Sequence, residues 1–561
     1  MDNAAPWAEA AIKAARPLSL DYFHGSMYDA IVAAADQLRD QSVHMAIYTP
    51  TGKISSQAFL RETDRCADAL SARGIQSGEI VSIALPNSPE ALWALYGANK
   101  LGTVANIVHP LTGVSELASI LKSTKSRLLF TTDAIADQLQ SNSTSDLPLI
   151  ITVEDYKKPR QRPLSSLREI FKRGNGYRRL SWSSFIKSGK KKTQRHHGRD
   201  EDTAVILYSG GTTGAPKGIE LMNYNLNAMA KNITACNADA LAGENPVITA
   251  ILPIFHGFGL GVCVHAALCS NVGMLLMPSF SAKSFAEILK TVKPTVLAGV
   301  PAFYEELLRM RSIQSMDLSF VRQVYCGGEK VSLKTIEDFD RLLAQNGSAA
   351  VLCEGYGMAE TLAVATLNPA AMRKAGSAGI PISDTRIQIA DTASGIELPV
   401  GETGEIRISG PSVMKGYYQN ERETENSFFV DSDGTRWLLT GDLGYLDEDG
   451  FLFIVDRKKR MIILNGYNVY PSRIEGLIRT CPGIKDCAVY EEQQGEKKYL
   501  SAALVPDSET YDEASLRELV HVRLKENLAA YEQPQRIVFR NSIPKTAIGK
   551  TAYSELIETR N

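Results

Sequence analysis

Short apolar runs alternate with helical patterns from residue 20 to residue 130, and no other feature restricts the fold as much. Met27 to Leu38 has helical spacing, Ala46-Ile47-Tyr48 is strand-like, and Phe59 to Arg73 is helical. Ile80 to Leu85 is a buried strand and Pro89 to Leu101 is helical again. A strand that is apolar at every position needs cover on both faces, and interleaved helices supply it in parallel sheets. The pattern therefore predicts an α/β fold of doubly wound layers. It resumes at Val296 to Val300, at Val321 to Cys326, and at a strand-like Ala349 to Cys353 ahead of Glu354 to Glu360. From Ile380 to Ser409 short β runs and turns predict a β-rich subdomain, and Trp437 to Val455 predicts a hairpin around Asp447 to Gly450. The last hundred residues read as a separate small unit. We expect a large N-terminal domain over 1–457 and a small, mobile C-terminal α+β domain over 458–561.

A chain of 561 residues exceeds one ordinary hydrophobic core, which agrees with that division. The net charge of −2 gives no general attraction to nucleic acid, so no nucleic-acid partner is expected. The 8 cysteines show no C-x-x-C spacing and read as reduced core residues, and the N-terminus lacks the pattern of a secretory signal. A cytoplasmic location follows as the expectation. Residues 245 to 282 carry no Asp, Glu, Lys or Arg, long enough to span a bilayer, but Pro253, His256, His265 and several glycines interrupt them. They read as a strand (Val247 to Leu252), a buried helix (Gly259 to Cys269) and a second strand (Gly273 to Met277).

Tyr208 to Gly218 reads Y-S-G-G-T-T-G-A-P-K-G, preceded by the β-prone Ala204 to Tyr208 and followed by Ile219 to Ala230, which suits a helix. Glycines let the backbone approach an anion, hydroxyls donate to its oxygens and a lysine adds charge, so the stretch suits a polyphosphate. It is not a Walker A loop, because Lys217 is followed by Gly218 rather than Ser or Thr. A solvated surface loop has the same composition and is the alternative.

Further matches follow in order: H-G-F-G at 256, G-Y-G-M-A-E at 355, T-G-D at 440, D-R-K-K-R at 456, G-Y-N-V-Y-P at 466 and P-K-T-A-I-G-K at 544. Together with the loop they resemble the adenylate-forming superfamily: acyl-CoA synthetases, luciferases and peptide-synthetase adenylation domains. The resemblance implies that a carboxylate and Mg-ATP form an acyl-adenylate, whose acyl group then passes to a thiol. It places Ser209, Gly210, Gly211, Thr212, Thr213, Gly214 and Lys217 around the phosphates, and Gly328, Glu329, Tyr356 and Gly357 around the nucleotide, with Tyr356 stacked on adenine. Glu360, with Thr213, would hold Mg2+; Asp442 and Arg457 would take the ribose hydroxyls. Lys550 would bridge carboxylate and α-phosphate and stabilise the charge of the transition state, with His256 at the acid site. Lys459 would be the hinge on which the C-terminal domain turns, and Gly466 and Tyr467 would line a tunnel for the pantetheine arm of CoA. ATP, Mg2+ and CoA are the implied cofactors.

One position departs from many relatives: Ala359 stands where a threonine precedes the metal glutamate. Alanine there also occurs in fatty-acyl-AMP ligases and aryl-acid adenylating proteins, so a carrier protein is the alternative thiol partner. The substrate is expected to be a small-molecule carboxylic acid lying near His256 to Leu260, Ala298 to Pro301, Cys326 to Gly328 and Met358. An amino-acid substrate would need a buried acidic partner, and residues 245 to 282 supply none. A medium- or long-chain fatty acid is the expectation, an aryl acid the alternative, and a catalytically silent scaffold the reading from another class. Finally, residues 156 to 199 hold 15 Lys and Arg against the single acid Glu169, with Phe171, Tyr177, Trp182 and Phe185 interspersed. They read as a solvated insertion, or as a patch making peripheral contact with anionic membrane.

Overall fold

The computed structural model describes residues 7–37, 46–50, 52–142, 147–154, 178–209, 216–242, 245–278, 282–464, 467–494, 497–507, 512–545 and 551–558. Internal contacts divide the chain into two units: Met1–Ile387 with Ile408–Leu438 and Asp449–Phe451, and Gln388–Arg407 with Leu439–Glu448 and Leu452–Asn561.

The first unit is built on two sheets. In one, six neighbouring strands run parallel: Leu352–Tyr356, Gln323–Cys326, Val296–Gly299, Val247–Ala250, Gly273–Leu276 and Ala46–Thr49. Short antiparallel strands extend both edges. In the other, six parallel strands lie in the order Thr203–Tyr208, Val104–Ile107, Ile80–Ala84, Leu128–Thr132, Leu149–Val153 and Arg179–Ser181. Gly218–Met222 and Gly416–Tyr417 add antiparallel strands beyond Thr203–Tyr208. Every residue of Ile80–Ala84 and of Val296–Gly299 is buried, and the polar Ser82 among them is hydrogen-bonded to Ser126 and Asn106. Helices start where sequence chemistry permits. Ser88 caps Pro89–Lys100 ahead of a first-turn proline, and Ser55 caps Ser56–Ala72. The doubly wound architecture expected from the alternation is the one observed.

Three local expectations need correction. The segment after the glycine-rich loop is not a helix from Ile219: Gly218–Met222 is a strand antiparallel to Thr203–Tyr208, and the helix begins at Asn223. Ile219 and Leu221 are buried on one face, a period of two too brief to stand out beside the longer helical pattern. The strand expected to end at Cys353 starts at Leu352 and runs to Tyr356, because Gly355 and Tyr356 pair antiparallel with Leu367 and Thr366. The buried helix of the uncharged segment opens as a π-helix, Phe258–His265, before Ala266–Cys269 continues as α. Its burial is as expected, and among the described residues no helix is long and apolar enough to cross a membrane. All eight cysteines are free thiols.

The basic segment differs most from its reading. Residues 155–177, with Phe171, Tyr177 and Glu169, lie outside the described residues. The remainder belongs to the first unit's core. Arg179–Ser181 is the last strand of the second sheet, and Phe185 is 0% exposed against Phe130 and Trp182. Trp182 stacks on Trp93 at 6.2 Å between ring centroids. Arg179 pairs with Asp133 and Asp137, Arg195 pairs with Asp29, and the Thr193 N–H donates to Asp68 at 2.7 Å. Of the four aromatics that suggested a docking patch, Phe185 is therefore buried and Trp182 half-buried against the core; Lys187 and Lys190 to Lys192 remain exposed.

The second unit holds the hairpin of Arg436–Leu446 with Leu452–Arg457, from Leu439 onward, and a C-terminal α+β body. There Ile484–Gln494 and Lys497–Pro506 form a long antiparallel pair, Arg536–Phe539 joins it in parallel, and Pro471–Arg479 and Glu513–Asn527 supply helices. Val469, Ile474, Ile478, Cys487, Leu500, Leu504, Val520 and Leu524 make its core.

Phe185→Ala should lower the free energy of unfolding by about 3 kcal/mol or more, the cost of emptying a buried aromatic site. Urea denaturation of the full chain measures this; an unchanged midpoint would return residues 178–199 to the status of a solvated insertion.

Candidate active site

The phosphate-type loop leaves the first unit between antiparallel strands, with the Ser209 N–H donating to the Lys217 carbonyl at 3.2 Å across its base. Gly210, Gly211, Thr212, Thr213 and Gly214 lie outside the described residues. Because a strand and not a helix follows directly, the positive charge described here is that of Lys217, with no helix dipole behind it. The strand end before the loop is pinned by a polar chain: Tyr208 donates to Asn106 at 2.8 Å, and Asn106 donates to Ser82 at 2.7 Å.

Lys217 Nζ lies 2.5 Å from a Glu423 oxygen and 5.0 Å from the centroid of the Tyr417 ring. The Tyr417 hydroxyl donates to Glu360 Oε1 at 2.9 Å. Glu360 is only 7% exposed and follows the strand Leu352–Tyr356 of the other sheet. Backbone bonds stitch the same stretch to both sheets: Met414 N–H to the Glu360 carbonyl at 2.8 Å, and Tyr418 N–H to the Gly218 carbonyl at 2.7 Å. Tyr417 and Glu423 escaped the sequence reading, since neither lies in any of the motifs singled out there. Only the pairing of Gly416–Tyr417 with Gly218–Met222 brings them to Lys217.

The carboxyl ends of four adjacent parallel strands supply the rest, the edge where open α/β sheets bind ligands. Val247–Ala250 leads to His256, Val296–Gly299 to Val300, Gln323–Cys326 to Gly328 and Glu329, and Leu352–Tyr356 to Gly357. H-G-F-G and G-Y-G-M-A-E interlock here. A Cβ on Gly257 would lie 1.2 Å from the Leu362 carbonyl oxygen, and one on Gly357 would lie 1.7 Å from that of Ala363. Leu362 itself is held at φ +62°, unusual for leucine, directly after Glu360-Thr361. His256 is exposed, with its ring 4.7 Å from Phe255, and Phe255 in turn lies 4.2 Å from His109. Burial lowers the His109 pKa, so its ring is neutral near neutral pH. Phe258 packs beside Gly327, 3.3 Å from where a Cβ would stand. His109 and Phe255 also went unread, because contact between the two sheets' edges leaves no trace in spacing.

In the second unit Asp442 and Arg457 are direct cross-strand partners, and Arg457 Nε donates to Asp442 Oδ1 at 2.8 Å. Asp442 is 4% exposed, while Arg457 is exposed. Thr440 accepts the Asp442 N–H at 3.0 Å and donates to the Ile406 carbonyl at 2.7 Å, and Gly441 turns at φ +68°. These bonds explain why threonine and glycine precede the aspartate. Lys459 is exposed on a single turn between anchored neighbours: Lys458 pairs with Glu405 at 2.7 Å and Arg460 with Glu475 at 2.8 Å. Tyr467 starts the strand Tyr467–Val469, while Gly466 and Lys550 lie outside the described residues.

The sequence pattern of the AMP-binding enzyme family matches residues 34–418, and that of its C-terminal domain matches residues 473–550. The chain belongs to the AMP-binding enzyme family. It is an enzyme of the AMP-forming acid–thiol ligase class. It is 31% identical over 526 residues to a long-chain-fatty-acid–CoA ligase of Bacillus subtilis, covering 90% of each chain. It is 29% identical over 498 residues to a 4-coumarate–CoA ligase of Pinus taeda, covering 88% of this chain and 87% of that one. The crystal structure of ATP-bound MatB from Rhodopseudomonas palustris superposes with a TM-score of 0.79 at 26% identity, covering 95% and 98% of the two chains.

In this AMP-binding enzyme Glu360 fits a magnesium ion that arrives with ATP. It is a buried carboxylate whose hydrogen-bond partner among the described residues is Tyr417, and Mg2+ prefers one or two carboxylates plus phosphate oxygens and waters. Among the described residues there is no cluster of three or more His, Cys, Asp or Glu to hold a metal by itself.

Glu354 is a further titratable group at this edge, and it accepts the Val331 N–H at 3.4 Å from the loop after Gly328-Glu329. Burial raises its carboxyl to about 7, against the Val331 N–H, which favours the ionised form. The folded protein thus binds this proton more tightly than the unfolded chain. The associated stability is complete below the ordinary carboxylate value and is lost as pH rises through about 7. Glu354→Gln should remove that loss, gaining on wild type by at most about 3 kcal/mol as pH rises from about 5 to about 8. Thermal unfolding of both proteins across that range tests it; a constant difference would assign Glu354 an ordinary acidity.

Proposed function

We propose that the enzyme activates a carboxylic acid with Mg-ATP to an acyl-adenylate and transfers the acyl group to CoA, and that the acid is a medium- or long-chain fatty acid. The observation that carries the first step is the Lys217–Tyr417–Glu360 arrangement. It joins the phosphate-loop lysine to a buried carboxylate, beyond a strand end, suited to the metal of Mg-ATP. In this reading Ser209 and the loop through Gly214 cradle the phosphates, Tyr356 lies against adenine, and Asp442 with Arg457 takes the ribose hydroxyls. Lys550 places a positive charge between carboxylate and α-phosphate, where two anions must approach and charge accumulates. Glu360 would hold the magnesium of Mg-ATP, which would supply further charge compensation at the phosphates.

An apolar acid is favoured by the neighbourhood of His256. The π-helix Phe258–His265 is buried from Gly259 onward, and no charged side chain interrupts residues 245 to 282. An aryl acid is the second reading, favoured by relatives named for 4-coumarate. Lys459, exposed between paired neighbours, is the proposed hinge between 1–457 and 458–561, and Gly466 with Tyr467 the proposed passage for CoA. Ala359 keeps a carrier protein as the alternative acceptor.

Pyrophosphate release across fatty and aryl acids, with and without CoA, is the deciding experiment. Fatty acids should give the signal and CoA should consume the adenylate; adenylate left unconsumed would replace CoA by a carrier protein. Lys550→Ala should slow adenylate formation about a hundredfold or more, as loss of a transition-state charge donor does. Gly466→Trp should form adenylate normally yet fail to pass it to CoA, read by thioester yield; equal yields would refute that route for the thiol.

A further inference from the structure

We propose that Tyr417 is the positioning residue of the adenylation site, a strut that sets the spacing between the Lys217 ammonium and the Glu360 carboxylate. The inference rests on the reading of Lys217 and Glu360 as phosphate and metal groups. It goes beyond that reading by assigning their geometry to a third side chain.

Both functional ends of Tyr417 are engaged. Its hydroxyl donates to Glu360 Oε1 at 2.9 Å, and its ring lies under Lys217 Nζ at 5.0 Å. The backbone fixes where the ring stands. Gly416–Tyr417 pairs with Gly218–Met222, directly after Lys217, and the Tyr417 N–H donates to Thr424 Oγ1 at 2.9 Å. Thr424 in turn donates to the Asn420 carbonyl at 2.9 Å, within the short helix that also carries Glu423. A tyrosine is stiff, with two rotatable bonds and a planar ring, so two fixed ends mean a fixed span.

The chemistry of each contact suits the task. An ionised carboxylate as buried as Glu360 is costly unless a donor compensates it, and the phenol is that donor. In this bond the phenol O–H is the donor and the carboxylate oxygen the acceptor. It engages Oε1, leaving Oε2 to meet a hard cation. The ring offers Lys217 the face of its π-system, an attraction that leaves the ammonium protons directed elsewhere. One now meets Glu423 at 2.5 Å, and a phosphate oxygen is the same kind of acceptor. Tyrosine combines a cation-binding face with a neutral donor at the far edge.

The test separates the two ends by binding, before any chemistry. ATP affinity is measured by calorimetry on the full chain without carboxylic acid, once with excess Mg2+ and once with a chelator. Variants are Tyr417→Phe, which keeps the ring, Tyr417→Leu, which removes both contacts, and Glu360→Gln. The strut predicts that Tyr417→Phe loses about tenfold of the affinity gained from Mg2+, the worth of one hydrogen bond to a charged group, with metal-free ATP binding unchanged within about twofold. Tyr417→Leu should weaken both. In turnover, Tyr417→Phe should raise KM for Mg-ATP with KM for the acid unchanged. If wild type and Glu360→Gln respond equally to Mg2+, the reading of Glu360 fails and takes the strut with it. If Glu360→Gln loses the Mg2+ gain but Tyr417→Phe retains it, or loses affinity equally in both conditions, the strut alone is overturned.

Discussion

Parallel strands, the inner ones buried on both faces, impose the constraint on which the first unit depends. Each strand must return across the sheet through a covering segment before the next can begin, so their carboxyl ends face one edge. Residues far apart in sequence become neighbours there without any local signal: His256, Gly328 and Tyr356 each sit just beyond or at a strand end. Apolar pressure thus does two jobs. It drives Ile80–Ala84 and Val296–Gly299 inside, and it leaves the loops at their ends as the parts free to vary with chemistry.

Charge at that edge is held rather than scattered. Glu360 has Tyr417, Lys217 has Glu423 and the Tyr417 ring, and in the second unit Asp442 has Arg457. Each pairing gives a buried or half-buried polar group a partner that offsets part of its desolvation. Glu354 is the contrast. Its Val331 contact does not offset burial, and its carboxyl rises to about 7. Groups with compensated charge suit binding a nucleotide and a cation; a group poised near neutrality suits a response to pH.

Legibility followed range. The strands of residues 20 to 130 were readable because every residue pointed the same way: apolar runs, Ser88-Pro89 opening a helix, Ser55 capping another. The motifs at 355, 440 and 456 were readable as motifs, and the hairpin register even explains why T-G-D and D-R travel together. The strand Gly218–Met222 was misread because a five-residue period of two is overwhelmed by the 14-residue helix behind it. Trp182 and Phe185 were misread because the cations around them suggested water, while their burial depends on Trp93 and Phe130 from distant segments.

What the sequence determined by itself was local and chemical: the α/β period, and the residue types that suit phosphate, cation and ribose. Hydrophobic period is short-range, so neighbours in the chain are enough to specify it. Only the tertiary structure decided which of those residues meet. Tyr417 became the partner of both Lys217 and Glu360 because antiparallel pairing carries Gly416–Tyr417 beside Gly218–Met222, and a strand end of the other sheet delivers Glu360 to its hydroxyl. Hydrogen bonds and ion pairs act over about 3 Å, a separation that sequence spacing cannot encode once nearly two hundred residues intervene.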